Sequence, residues 1–230
     1  MRQWTYEEIK DKVLKDLDLQ DEIFIDPDEM MAYANEAIDE AEAEILGLYE
    51  DYFLTSSSLA LVAGTAEYSL PSDIYCHKIR AVIYRNGTTV FPIEKIRENK
   101  RFETIAYELI YNDGVTYKYI IKNVSAATGP QIVLYPAARE TSAANVTLWY
   151  IRNANRMTED ASLCDIPEFA SFIIQYMKMR CYEKEGHPNY ESSVSILDRQ
   201  RKLMIETLSE MVPDGANHVE MDFSPYEEMS

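Results

Sequence analysis

Apolar side chains recur at helical spacing near the start of the chain. Thr5 and Glu8 have the spacing of a capping box, and the apolar stripe that follows them predicts a short helix. Asp26 and Pro27 are typical first residues of a second helix, which we expect to cover 27–52. The apolar positions of this second helix alternate at spacings of three and four and form one narrow seam: Met31, Ala34, Ile38, Ala41, Ile45, Leu48 and Tyr52.

The period of the pattern changes to two between residues 53 and 152. Turn-forming sequences divide this stretch at 63–65, 70–73, 86–87, 112–114 and 128–130. Short runs rich in β-branched and aromatic residues lie between the turns and predict strands at 79–84, 88–91, 115–121, 132–135 and 146–151. Several short strands at this spacing indicate an antiparallel sandwich or barrel.

Helical spacing returns after residue 153. Asp165 and Glu168 again have the spacing of a capping box, and the helix that they predict ends at Gly186. A last helix carries a second seam with the same alternating spacing: Tyr190, Val194, Leu197, Arg201, Met204, Leu208 and Met211. The remaining segment, 213–230, is polar and acidic, and we expect it to be a flexible tail.

The order of these elements predicts an α+β fold. The N-terminal and C-terminal helices are expected to form one antiparallel bundle, because neither set alone can bury its apolar face. The predicted divisions are 1–52 and 153–212 for the two halves of the bundle, 53–152 for an inserted antiparallel β-sandwich or barrel, and 213–230 for the tail.

Charge is distributed unevenly along the 230 residues, whose net charge is −18. Residues 1–52 carry 17 acidic and 4 basic side chains, 53–152 carry 8 and 11, and 153–230 carry 15 and 7. A surface with this sign repels phosphates, so a conventional nucleic-acid binder is excluded.

The sequence lacks the usual signatures of catalysis and metal binding. Its three cysteines have no CxxC spacing, its three histidines are scattered, and no HExxH, GxSxG or Walker sequence is present. We therefore predict no enzyme activity, no catalytic residues, no cofactor and no metal. The N-terminus has no apolar stretch typical of a signal peptide and no run is long enough to span a membrane, so we expect synthesis in the cytoplasm and no membrane partner.

Four segments, in order, carry a resemblance to a known family. They read YANEA at 33–37, AGTAEYSLPSD at 63–73, VTLWY at 146–150 and IPE at 166–168. In the second, the glycine is expected to turn the chain between two strands, and Tyr68 and Leu70 to point into the core. This series resembles the head-to-tail adaptor proteins of short-tailed bacteriophages over nearly the whole chain.

The resemblance implies a structural virion protein at the head–tail junction. In that family the subunits associate side by side into a ring, commonly of twelve copies, between the portal and the tail nozzle. The implied partners are other copies of the chain, the portal, nozzle or fibre proteins, and double-stranded DNA that passes through the lumen without specific binding during ejection. We hypothesise that the acidic helices line this lumen and that the near-neutral β-region faces outward.

The residues predicted to mediate interactions belong to the first seam and the tail. They are Met31, Ile38, Ile45, Leu48, Tyr52, Phe223 and Tyr226. A different class of function stays open, namely a carbohydrate-binding or fibre-attachment module, because the 17 tyrosines could form a sugar-binding face.

Overall fold

The computed structural model describes residues 2–18, 25–86, 88–96, 100, 117–125 and 129–211. These residues fall into two compact units. The helical unit contains the described residues within Met1–Tyr49 and Arg156–Ser230, and the sheet unit those within Glu50–Asn155. One continuous stretch of chain therefore supplies the sheet unit, whereas two separate stretches supply the helical unit.

The helical unit contains four described α-helices and one short 3-10 helix. The 3-10 helix, Pro167–Phe169, comes directly before the third α-helix. The α-helices are α1 (Tyr6–Leu17), α2 (Pro27–Leu48), α3 (Ala170–Glu185) and α4 (Tyr190–Met211).

Local sequence explains where α1, α2 and α3 begin or end. The Thr5 hydroxyl accepts a hydrogen bond from the backbone N–H of Glu8 at 3.2 Å, and the Glu8 carboxylate accepts one from the backbone N–H of Thr5 at 3.1 Å. Asp26 accepts a bond from the N–H of Asp28 at 2.9 Å. Gly186 ends α3 in the left-handed conformation with φ of 66°. The predicted capping box of α1 and the predicted end of α3 are thus confirmed.

Two helix boundaries differ from the prediction. The 3-10 helix is preceded by Ile166, which provides no side-chain cap, and not by Asp165, because a residue before proline is pushed out of the helical region. Ile166 has φ of −125° and ψ of 60°, and α3 begins only at Ala170. The helix expected to reach residue 52 ends at Leu48, since acidic residues such as Glu50 are unfavourable at the negative end of a helix.

The core of the helical unit is centred on α3, which packs against α1, α2 and α4. Small side chains on α2, including Ala34 and Ala41, are fully buried and let neighbouring helices approach closely. The large side chains of this core are Ile9, Val13, Ile38, Ile45, Phe172, Ile173, Met177, Leu197, Met204 and Leu208. The buried face of α2 is wider than the predicted seam, because Tyr33, Ala37 and Leu46 are buried as well.

The sheet unit has two four-stranded sheets, with strand orders β1-β8-β3-β4 and β2-β7-β6-β5. All neighbouring strands are antiparallel except β5 and β6. The strands are β1 (Leu54–Leu61), β2 (Glu67–Ser69), β3 (Ile74–Asn86), β4 (Thr89–Pro92), β5 (Glu94–Lys95), β6 (Lys118–Ser125), β7 (Gly129–Tyr135) and β8 (Ser142–Arg152). Together with the helices, they confirm the α+β class.

Side chains from both sheets meet in one hydrophobic cluster. Val82, Val146 and Leu148 come from the first sheet, and Ile132 and Leu134 from the second. Tyr68 and Leu70 belong to the same cluster and Gly64 has φ of 80° in the preceding turn, as the sequence 63–73 predicts. The signature that carried the resemblance is therefore a turn followed by inward-pointing side chains.

Candidate interaction surfaces

The structure separates the residues predicted to mediate interactions. Ile38 and Ile45 are fully buried within the helical unit, and Met31 is half-buried. Leu48 is 43% exposed at the end of α2. Tyr52 is half-buried and lies in the sheet unit, and Phe223 and Tyr226 lie outside the described residues. Leu48 is the described member of the set with the most accessible side chain, and a role for any of these residues in assembly stays a prediction.

Most carboxylates of α2 pair with cations of the same unit. Glu36 lies 3.2 Å from Arg180 of α3, and Asp39 lies 2.5 Å from Arg156. On the side facing α4, Arg201 pairs with Glu40 and lies 3.4 Å from Glu44. These four acidic residues hold neighbouring elements of the unit together, so much of the acidic charge of α2 is already neutralised.

At the start of α2, another group of bonded side chains joins α2 to α3. The Glu29 carboxylate pairs with Lys184 of α3 and accepts a bond from the Tyr33 hydroxyl at 2.7 Å. The bond from Lys184 lowers the pKa of Glu29, with Tyr33 contributing in the same direction. Burial, and then the Glu29 carboxylate, raise the pKa of Tyr33 to about 12. These groups join α3 to α2.

One side of α4 exposes large apolar residues. Ile196 is 48% exposed and Leu203 is 46% exposed. They are seven residues apart, so they lie on the same side of the helix, about 100° around its axis from the buried Leu197 and Met204. We call Ile196 and Leu203 the α4 ridge. A ridge of this kind beside a core face is a typical contact for another helix.

The outer face of the first sheet also exposes apolar residues. Trp149 of β8 is 38% exposed, and its cross-strand partners Ser56 and Ala81 are small. Small neighbours leave one face of the indole ring open. On the same face, Val90 of β4 is 49% exposed. No described element covers Trp149 completely.

The sequence alone reveals neither surface. The apolar pattern of α4 predicts one seam, and its periodicity does not separate the second stripe through Ile196 and Leu203 from that seam. Trp149 lies in a strand that was predicted, but the side of the strand facing the core could be known only from its neighbours. The seven-residue spacing of Ile196 and Leu203 is the feature of the sequence that indicates the α4 ridge.

The described residues contain no cluster of histidine, cysteine, aspartate or glutamate arranged to hold a metal ion. Cys164 and Cys181 are buried free thiols, and burial raises their pKa to about 11 and about 12. Neither thiol has the low pKa that makes a cysteine nucleophilic. Among the helices within the described ranges, none combines the length and apolarity needed to cross a membrane.

Comparison with known proteins identifies the family. A search of curated proteins found no match. The sequence model of the family described as SU10 adaptor protein matches residues 4–217, which include all the helices and strands of both units. The chain therefore belongs to the SU10 adaptor protein family, and it is by this membership a phage adaptor, a structural protein of the virion.

Proposed function

We propose that copies of this chain form a closed ring, of twelve subunits, that joins the portal to the tail and lets DNA pass through its lumen. In this proposal the four helices form an antiparallel bundle, with 1–52 and 153–212 as its two halves. The region 53–152 is an inserted sandwich of the two sheets, and 213–230 is a tail outside both. Family membership supports the adaptor role, and the two unlike units supply separate surfaces for different partners.

The α4 ridge is the observation that carries the ring. A closed ring needs a heterologous contact in which one side of each subunit binds the opposite side of the next. Ile196 and Leu203 present large apolar side chains to solvent, and burying them against a second copy would stabilise the contact. Leu48 is a further exposed apolar residue of the same unit that could join this contact.

Charge supports a lumen through which DNA slides. A lining with many lysines and arginines would hold passing phosphates, whereas an acidic lining repels them. Residues 1–52 and 153–230, which include the helices, carry a net charge of −21 together, whereas 53–152 carry +3. Ion pairs neutralise part of the negative charge on α2, so we assign the lining to exposed carboxylates elsewhere, such as Glu206 of α4.

Phe223 and Tyr226 are proposed as anchors of the tail on the portal. They are isolated aromatic residues in an acidic segment, and aromatic side chains are frequent anchors in protein interfaces. Removal of residues 214–230 should weaken binding to the portal and leave the fold intact. Unchanged binding would argue against these anchors.

The mass of the purified chain tests the ring. We would measure it by light scattering, alone and after mixing with the portal protein encoded in the same genome. A closed ring, or a fixed number of copies bound per portal, supports the proposal. A monomer that does not bind the portal contradicts it.

A pair of variants tests the α4 ridge. Leu203→Asp should prevent association, because a carboxylate cannot be buried in an apolar contact without a partner. Leu163→Asp is the matched control, since Leu163 is 57% exposed in the same unit but lies outside α4. If both variants assemble as the wild type does, another surface forms the ring.

A carbohydrate-binding or fibre-attachment role is the second candidate, and Trp149 is the observation that favours it. A half-exposed indole among small neighbours is a suitable platform for a sugar ring. Retention of the chain on host surface glycans, and its loss in Trp149→Ala, would support this role. Equal elution of wild type and variant would exclude this platform.

A further inference from the structure

The turn between α3 and α4 forms a pocket. Gly186 takes the left-handed conformation there, and the backbone N–H of His187 donates to the carbonyl of Tyr182 at 3.0 Å. The tight turn brings the last residues of α3 beside the first residues of α4 around an open space of about 460 Å³. We call this space the turn pocket, and the side chains that line it are Tyr182, Glu183, His187, Pro188, Tyr190 and Glu191.

Aromatic rings form part of its wall. The rings of Tyr182 and His187 are stacked, with their centroids 4.8 Å apart and an angle of 27° between their planes. The Nδ1 atom of His187 accepts a hydrogen bond from the backbone N–H of Asn189 at 3.1 Å. This bond holds the imidazole ring in place against Tyr182. The stacked pair is therefore a fixed, flat aromatic surface.

The charged groups of the pocket are both carboxylates. Glu183 bonds at 2.6 Å to Arg180, whose guanidinium also lies 3.2 Å from Glu36 of α2. Glu191 is exposed, and within the described ranges it forms no ion pair. Among the residues that the structure describes, no lysine or arginine lines the pocket. Carboxylates beside aromatic rings are a favourable environment for a cation.

We propose that the turn pocket binds an arginine side chain of another virion protein. A guanidinium group is planar, so it can stack on the Tyr182 and His187 pair and donate to the Glu191 carboxylate at the same time. A lysine ammonium matches this combination less well, because it cannot stack. The net charge of −18 favours a partner of opposite charge over a second copy of this chain.

The inference rests on the proposed function, because it requires the adaptor to contact another virion protein. It specifies the chemistry of one contact with another virion protein and where that contact lies on the subunit.

The first test uses a small probe on the full chain. We would titrate acetyl-arginine amide and follow the NMR signals of His187 and Gly186, assigned with His187→Gln. Acetyl-citrulline amide, a neutral compound of the same shape, is the control probe. The arginine compound should give saturable shifts at these residues, and the citrulline compound should not. Equal responses to the two would overturn the proposal.

A matched pair of variants tests the carboxylate. Glu191→Gln should weaken binding of the arginine probe about three- to tenfold, because it removes the charge and leaves the shape of the side chain. Asp198→Asn is the control, since Asp198 is an exposed carboxylate seven residues further along the same side of α4. It should bind as the wild type does. Equal weakening in both would assign the effect to overall charge and overturn the site.

Binding to virion proteins separates this inference from the ring itself. If the wild-type chain binds the portal or a tail protein and Glu191→Gln binds it about tenfold more weakly, the pocket is a contact with that protein. If both bind equally, the turn pocket is not used and the adaptor ring stands. If Glu191→Gln reduces only the self-association of the chain, a second copy occupies the turn pocket and the proposed partner is wrong. If the wild type binds neither protein, the proposed function fails, and the probe titration alone decides whether the pocket takes a guanidinium group.

Discussion

Ion pairs bridge separate elements in both units, but the sheet unit relies more on core tyrosines, with five described buried tyrosines against two in the helical unit. In the helical unit, long charged side chains bridge separate elements, as Arg180 does to Glu36 and Lys184 does to Glu29. In the sheet unit, tyrosines of the core reach carboxylates with their hydroxyl groups. Tyr84 donates to Glu140 at 2.8 Å, and Tyr150 donates to Asp73 at 3.0 Å.

Geometry explains the difference. Helix surfaces beside a buried face carry side chains that can extend around the neighbouring helix, so ion pairs form at the edges of the core. In a strand alternate residues point straight into the core, so a polar group there must sit at the tip of a large ring. We therefore expect substitutions, pH and salt to affect the stability of the two units differently.

The largest expected effect tests whether each unit depends on its own core. Phe172→Ala removes a ring that is 1% exposed in the helical unit, and we expect the free energy of unfolding to fall by about 3–5 kcal/mol. Hydrogen exchange should rise mainly at the amides of α2, α3 and α4. An equal rise in β3 and β8 would contradict the comparison, because the hydrophobic cluster of the sheets contains no residue of the helical unit.

The second prediction concerns alkaline pH. Burial first, and then the partner carboxylate, raise the pKa of Tyr84 and of Tyr150 from 10.0 to about 12. An unfolded chain loses these protons near pH 10, whereas the folded chain keeps them up to about pH 12. The contribution of these two hydroxyls to the free energy of unfolding should therefore be constant below pH 10 and fall as the pH rises from 10 to 12.

Urea titrations at several pH values check this dependence. The double variant Tyr84→Phe with Tyr150→Phe should lose stability less steeply above pH 10 than the wild type. Part of the slope should remain, because Tyr33 of the helical unit also has its pKa raised to about 12. Identical slopes in the wild type and the double variant would show that these hydroxyls do not control the alkaline response.

The third prediction isolates one hydroxyl. Tyr150→Phe should cost about 1–2 kcal/mol at neutral pH, because it removes a bond to a charged carboxylate while the ring still fills the core. Tyr119→Phe is the control. Tyr119 is 5% exposed, and the structure shows no hydrogen-bond partner for its hydroxyl among the described residues, so we expect a change below about 0.5 kcal/mol. Similar losses in both would point to packing and not to the bond.

The smallest effect is expected for an ion pair of the helical unit. Arg201→Gln removes the pairing with Glu40 and Glu44, whose side chains are about a third exposed, and should cost about 0.5–1 kcal/mol. The difference from the wild type should shrink in concentrated salt, because salt screens the pair. Lys202→Gln, at an exposed neighbouring position, should change stability by less than about 0.5 kcal/mol. A loss that is insensitive to salt would mean that Arg201 acts through its packing.

Local signals in the sequence predicted much of the fold. The capping box at Thr5, the proline start of α2 and the glycine end of α3 depend on residues close in the chain, and the structure confirms them. Most strands were also found from their alternating pattern. The strand β1, Leu54–Leu61, was not distinguished, because its serines give little apolar contrast between its two faces.

The candidate sites were less predictable. The seam on α2 mixed buried residues such as Ile38 with the exposed Leu48, since a periodic pattern shows which residues share a face but not what covers that face. The turn pocket joins the end of one helix to the start of the next, and its stacked rings depend on how the turn at Gly186 folds back.

By itself, the sequence determined the α+β class, the order of the elements and the resemblance to phage adaptor proteins, because these follow from periodicity, caps and turns within short segments. Only the tertiary structure decided which carboxylates of α2 are paired, which apolar residues of α4 and β8 stay exposed, and where a pocket opens. These properties depend on which distant segments pack together, and burial and ion pairing are set by neighbours in space.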